Sequence, residues 1–231
     1  MTINSPLESH IVFTIGSVPV AQPVITTWAI MAALVTGSWW ATRRLRVEHP
    51  SRVQAALEMI VETVTVQIRE TIGGAPKPYL PLIGTLFIFL LVANWSSLLP
   101  GVEPPTATLE TDAALALIVF AATLWFGVRA LGLRRYLATF AMPSAFMLPI
   151  NLVELFTRSF SLTVRLFGNV MSGAFMIGVV LSLAGLFVPI PLMALEMLTG
   201  AVQAYIFGAL AMVFIGSAIS EASDNQQGTP A

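Results

Sequence analysis

Residues 151–178 read NLVELFTRSFSLTVRLFGNVMSGAFMIG, an apolar run that nevertheless holds two arginines, Arg158 and Arg165. Counted from Arg165, Ser161 lies four residues back, Arg158 seven and Glu154 eleven, while Gly168, Asn169 and Ser172 lie three, four and seven ahead. Steps of that size return to one side of an α-helix. The polar groups therefore form a single stripe. Glu154 sits one turn from Arg158, and the two can pair within the helix. Arg165 finds only Ser161, Leu162, Gly168 and Asn169 one turn away. Its guanidinium cannot escape by losing a proton, and a central membrane arginine costs at least about 2.5–3.5 kcal/mol. Its counter-charge must come from another helix or another subunit. Gly168, Ser172, Gly173 and Ala174 leave room for a close neighbour.

A later apolar run adds Glu196 and Gln203, seven residues apart, with Gly200 between them on the same side. Packed against the first helix, that face can present both groups to the Arg165 stripe. Membrane-embedded carboxylates and arginines are candidates for an ion path or proton relay. Plainer roles compete at several positions. Ser161 and Ser172 suit interhelical packing, and Glu154 and Arg158 can snorkel to the inner surface. Glu196 lies near the outer end of its helix and can face water there. Asn94 and Trp95 read as boundary residues, and the methionines as apolar filler.

The elements that carry these groups follow from composition. Of 231 residues, 56% are hydrophobic and 10% charged, and mean hydropathy is +0.84. A soluble domain carries roughly 25% charged residues. The chain is thus neither disordered, nor a nucleic-acid binder, nor an ordinary cytosolic enzyme. It reads as an all-α, polytopic integral membrane protein. The lack of cysteine excludes disulfides and thiol chemistry, and the two histidines, His10 and His49, are far apart, so no metal cluster or cofactor is expected.

About five membrane-embedded helices and one interfacial amphipathic helix are expected within a single membrane domain. Residues 1–23 form an outer segment without a basic n-region, so a cleaved signal is not expected. Helix 1 covers 24–41 and ends at Trp39 and Trp40 before Arg43, Arg44 and Arg46. Segment 51–72 carries Arg52, Glu58, Glu62, Arg69 and Glu70, too many charges to span; it suits a helix in the interface or against the other spans. Residues 79–99 and 112–130 form a helical hairpin, with Glu103, Glu110 and Asp112 ahead of the second member. The long segments 151–186 and 191–219 line the ion path. The first would run roughly 50 Å as helix, so it must tilt, kink or lie partly in the membrane plane. Residues 221–231 are a polar tail. Nine of the eleven basic residues fall in segments assigned inside, and the other two are Arg158 and Arg165. The N-terminus is expected outside and the C-terminus in the cytoplasm.

The string from Ser161 to Asn169, SLTVRLFGN, resembles the signature of subunit a of F-type ATP synthases. Residues 105–117, PTATLETDAALAL, resemble its bacterial and chloroplast members, as does Gln203-Ala204-Tyr205-Ile206-Phe207. The resemblance covers about 80–219 in order. It implies a stator subunit of the membrane F0 sector, with no catalytic chemistry of its own. Two half-channels would carry H+ or Na+ to and from a rotating c-ring, in the bacterial inner membrane. The implied partners are the c-ring, peripheral-stalk subunit b and lipid. By the same resemblance Arg165 is the essential arginine, Asn169 lies one turn beyond it, and Gln203 is the polar partner on the last helix. Glu196 holds the acidic position of the outer half-channel, and Glu154 and Arg158 match the acid and base ahead of the arginine. Two departures stand out: Ser159 replaces a common proline, and Ala174 a common acid or histidine, leaving Glu196 as a single outer acid. The alternatives are a self-contained secondary transporter that uses Arg165 to bind an anion, and a non-transporting scaffold. The short chain shows no inverted repeat to support the transporter.

Overall fold

The computed structural model describes residues 11–15, 18–43, 52–73, 75–99, 102–140, 146–184 and 188–227. The expected outermost N-terminal residues, Arg44, Arg46, both histidines and the end of the polar tail lie outside that set. Two short strands, β1 (Ile11–Ile15) and β2 (Val18–Ala21), pair antiparallel, with Phe13 opposite Val20 and Ile15 opposite Val18. This small hairpin is an addition to the all-α reading, which otherwise describes the molecule.

Helix α1 (Gln22–Thr42) follows directly, then α2 (Arg52–Ile72). Gly73, at φ 74°, ends α2 with its N–H on the Arg69 carbonyl. Helix α3 (Leu80–Trp95), with a proline in its first turn, runs into a 3-10 turn at Ser96–Leu98. A second 3-10 turn, Pro105–Ala107, leads into α4 (Leu109–Leu131). Gly132, at φ 79°, then redirects the chain into α5 (Leu133–Thr139). That short helix falls in a stretch the sequence left without an element. The last two helices are α6 (Met147–Ala184) and α7 (Pro189–Gln227). Helix α7 continues through 220–227, where the sequence placed a tail. No proline or glycine interrupts it there, and a helix leaving hydrocarbon has no reason to stop at the boundary.

Five helices among the described residues are long and apolar enough to cross a membrane: Gln22–Thr42, Leu80–Leu98, Leu109–Leu131, Met147–Leu183 and Pro189–Ser220. At 38 residues, α6 is about 57 Å long at ~1.5 Å per residue, far beyond a ~30 Å hydrocarbon core. The core draws on five helices: Ile30 of α1, Leu90 and Ala93 of α3, Leu115 and Val119 of α4, Leu162 and Leu166 of α6, and Ala204 and Phe207 of α7. A second cluster of Ile68, Ile83 and Met212 holds α2 against α3 and α7. Helix α2 is thus docked through Ile68, while Met59 and Val61 remain exposed.

The α4–α5 corner depends on a missing side chain. Tyr136 is buried and folds back on Gly127, where a Cβ would lie 2.4 Å from the ring's Cε2 atom. Phe140 packs edge-on against the same ring. Gly127→Ala is therefore expected to cost about 1–3 kcal/mol by overpacking. Thermal unfolding of the detergent-solubilised complex measures this; an unchanged midpoint would contradict the packing described.

Candidate functional site

The stripe on α6 meets two different fates. Arg158 is satisfied within the chain: it pairs with Glu154 one turn back, and its Nη1 donates to Ser217 Oγ of α7 at 3.3 Å. Its guanidinium also lies 5.4 Å from the centroid of the Phe214 ring. Asn151, near the N-terminal end of α6, donates to the Phe140 carbonyl at 3.0 Å. These contacts fasten the N-terminal part of α6 to α7 and α5.

Arg165 is exposed and has no ion pair or hydrogen bond among the described residues. It stands at the midpoint of the span Met147–Leu183, eighteen residues from either end. Leu162 and Leu166 beside it are buried and point into the core. The helix therefore turns its apolar side inward and its arginine away from the bundle. An open groove of about 520 Å³ runs along this surface, with Glu154, Arg158, Ser161 and Arg165 on one wall and Leu210 and Phe214 of α7 on the other. That is ample room for water, which needs only about 10–15 Å³ per molecule.

Farther along α6, Asn169 is half-buried and Ser172 is exposed, its hydroxyl donating to the Asn169 carbonyl at 3.0 Å. Glu196 of α7 is half-buried and lies over Gly173 of α6, where a Cβ would come within 2.8 Å of its Oε1. Glycine at 173 is what lets the carboxylate reach the α6 surface. Gln203 is buried, and its Nε2 has no hydrogen-bond partner. Glu154, Arg158, Ser161 and Arg165 thus share one groove, whereas neither Glu196 nor Gln203 lines it. The face of α7 expected to turn as a unit toward Arg165 is divided between neighbours, Glu196 against α6 and Gly200 against α3.

Three residues read from the sequence as boundary groups lie inside the bundle or across its helices. Asn94 is buried, donates from Nδ2 to the Gly200 carbonyl at 2.9 Å and accepts from Thr106 Oγ1 at 2.9 Å. Trp95 donates from Nε1 to the Met197 carbonyl at 3.1 Å. Asp112, read as an outer acid ahead of its span, is fully buried inside α4, and neither carboxylate oxygen is hydrogen-bonded. One signal was available: Asp112, Leu115, Ala116 and Val119 share the spacing of a buried helical stripe.

Comparison with known proteins bears on the whole chain. The family model described as ATP synthase A chain matches residues 24–216. "ATP synthase subunit a 2" of Bradyrhizobium sp. is 59% identical over 216 residues, covering 94% of this chain and 96% of that protein. "ATP synthase subunit a 2" of Acaryochloris marina is 48% identical over 205 residues, 88% of either chain. "ATP synthase subunit a" of Legionella pneumophila is 39% identical over 220 residues, 95% of this chain and 96% of its own. With five helices long and apolar enough to cross a membrane, a family match over residues 24–216 and relatives matched nearly end to end, the chain belongs to the F-type ATP synthase subunit a family.

Proposed function

We propose that this chain, as the stator subunit of the membrane F0 sector, performs ion transfer through Arg165, which it presents to the carboxylates of a c-ring. The observation that carries this reading is the position of Arg165: mid-span, exposed, and without a partner among the described residues. A fixed positive charge beside a carboxyl favours the ion-free form of that carboxyl. An arriving ring site would release its H+ or Na+ there. A charged carboxylate cannot enter lipid without large cost, whereas a neutralised one can. Arg165 also repels any cation that would pass straight from one side to the other.

Two half-paths follow from this arrangement. The outer one runs by Glu196 over Gly173, near Asn169 and Ser172, with Gln203 behind. The inner one is the groove of Ser161, Arg158 and Glu154, leading toward Asn151. The basic residues assigned to the inner side support an N-terminus outside and a cytoplasmic C-terminus. Subunit b and lipid are the neighbours proposed for the remaining exposed apolar faces, among them the Trp28, Trp39 and Trp40 surface of α1. The driving force is about 2.3 kcal/mol per charge per 100 mV.

Replacement Arg165→Ala is expected to abolish ATP-driven ion pumping in inverted membrane vesicles while the complex still assembles; retained coupling would reject the assignment. Arg165→Lys keeps a charge but loses the planar fork, and its pumping rate should fall between the two. Gly173→Ala displaces the flexible end of Glu196, so flux should drop as it does for Glu196→Gln, with the amount of assembled complex unchanged. Equal flux in wild type and Gly173→Ala would remove Glu196 from the path. Substrate uptake by the purified chain alone in liposomes would instead favour a self-contained transporter.

A further inference from the structure

Among the described residues two buried side chains carry polar atoms without hydrogen-bond partners, and they stand at the outer end of one shared core. Asp112 is fully buried and neither of its oxygens is bonded; Gln203 is 7% exposed and its Nε2 is unbonded. Asp112 lies on the buried stripe of α4, one turn outside Leu115 and Ala116. Gln203 adjoins Ala204 on α7, one turn outside Phe207. Leu115, Ala116, Ala204 and Phe207 belong to the same apolar cluster, and α4 packs along α7. The two groups are complementary, a carboxyl that accepts and an amide that donates.

Burying a carboxylate with no donor and no cation is among the costliest arrangements a fold can hold. Among the described residues the one ion pair is Glu154–Arg158, and none of their cations balances Asp112. The nearby start of α4 offers a favourable dipole, yet none of its N–H groups reaches the oxygens. Buried polar groups are otherwise satisfied as a rule, and an exception calls for a role. Polar side chains precede this carboxyl along the chain: the Thr108 and Thr111 hydroxyls pair at 2.9 Å, and Thr106 bonds Asn94 at the junction with Gly200.

We propose that Asp112 is a second ion-carrying carboxyl of the outer half-path, beside Glu196. An O–H bond forms on an Asp112 oxygen when a proton enters from outer water. The bond breaks when the proton moves on toward the ring-facing surface. During the ionised interval the Gln203 amide donates to the carboxylate. The proposal rests on the stator reading given above and adds a residue to it.

The test uses the assembled complex in inverted vesicles. Asp112→Asn keeps the shape and removes the exchangeable proton. Proton conduction through the membrane sector after removal of the soluble head should fall about tenfold or more, as for loss of a positioned proton-transfer group. Asp112→Glu should recover part of it. In infrared difference spectra of the purified membrane sector, a carboxyl C=O band that shifts in D2O should be present in wild type, displaced in Asp112→Glu and absent in Asp112→Asn. Assembled Asp112→Asn with conduction within twofold of wild type would overturn the proposal. If Asp112→Asn fails to assemble, the wild-type and Asp112→Glu spectra decide, and absence of a D2O-sensitive band that moves with the substitution overturns it. Arg165→Ala in the same vesicles separates the two readings. If it retains coupling, the stator mechanism itself fails; if it loses coupling while Asp112→Asn does not, only the role of Asp112 falls.

Discussion

A guanidinium that cannot deprotonate, held at half the length of a membrane-crossing helix, sets the terms for the rest of this molecule. On α6 two arginines seven residues apart face the same cost. Arg158 meets it at home, through Glu154, Ser217 and the face of Phe214. Arg165 is left open at the bundle surface, while Leu162 and Leu166 near it are buried. The helix therefore has a definite orientation. Leu162 and Leu166 anchor it inward, and the unmet charge faces outward to where an acidic neighbour can stand.

Much of this was legible in the sequence. Span length and the scarcity of charge revealed five helices long and apolar enough to cross a membrane, because hydrocarbon permits little else. The polar stripe on α6 followed from spacing alone, and so did the pair Glu154–Arg158. What escaped was whatever depends on which helix packs against which. Asn94 and Asp112 look like boundary residues when measured along their own helices. They lie in the interior because α7 and the Pro105–Ala107 turn cover them. Glu196 and Gln203 share a face in one dimension, yet in three that face is divided between α6 and α3. The corner at Gly132 depended on a positive φ that an isolated glycine in the sequence does not reveal.

The end of the bundle around Asn94 is organised by amide and hydroxyl groups. Asn94 occupies both its donor and its acceptor to join α3, α7 and the turn before α4. Gly200 makes that approach possible, since a Cβ there would lie 2.9 Å from Asn94 Cβ. Such neutral bonds cost less to bury than ions. The opposite end, around Arg158, uses an ion pair and an open groove instead. The two ends thus hold their helices together by different chemistry.

Helices α6 and α7 touch through polar groups far apart along their length, Glu196 over Gly173 at one end and Arg158 on Ser217 at the other, with close apolar packing between. A sideways load applied at Arg165 would fall on the middle of α6. A lone helix loaded at its centre would bow like a beam. Pinned at two distant points to a second rod, which is itself braced by α2, α3 and α4, it resists that load. The interval between the fasteners then sets how stiffly α6 resists bending.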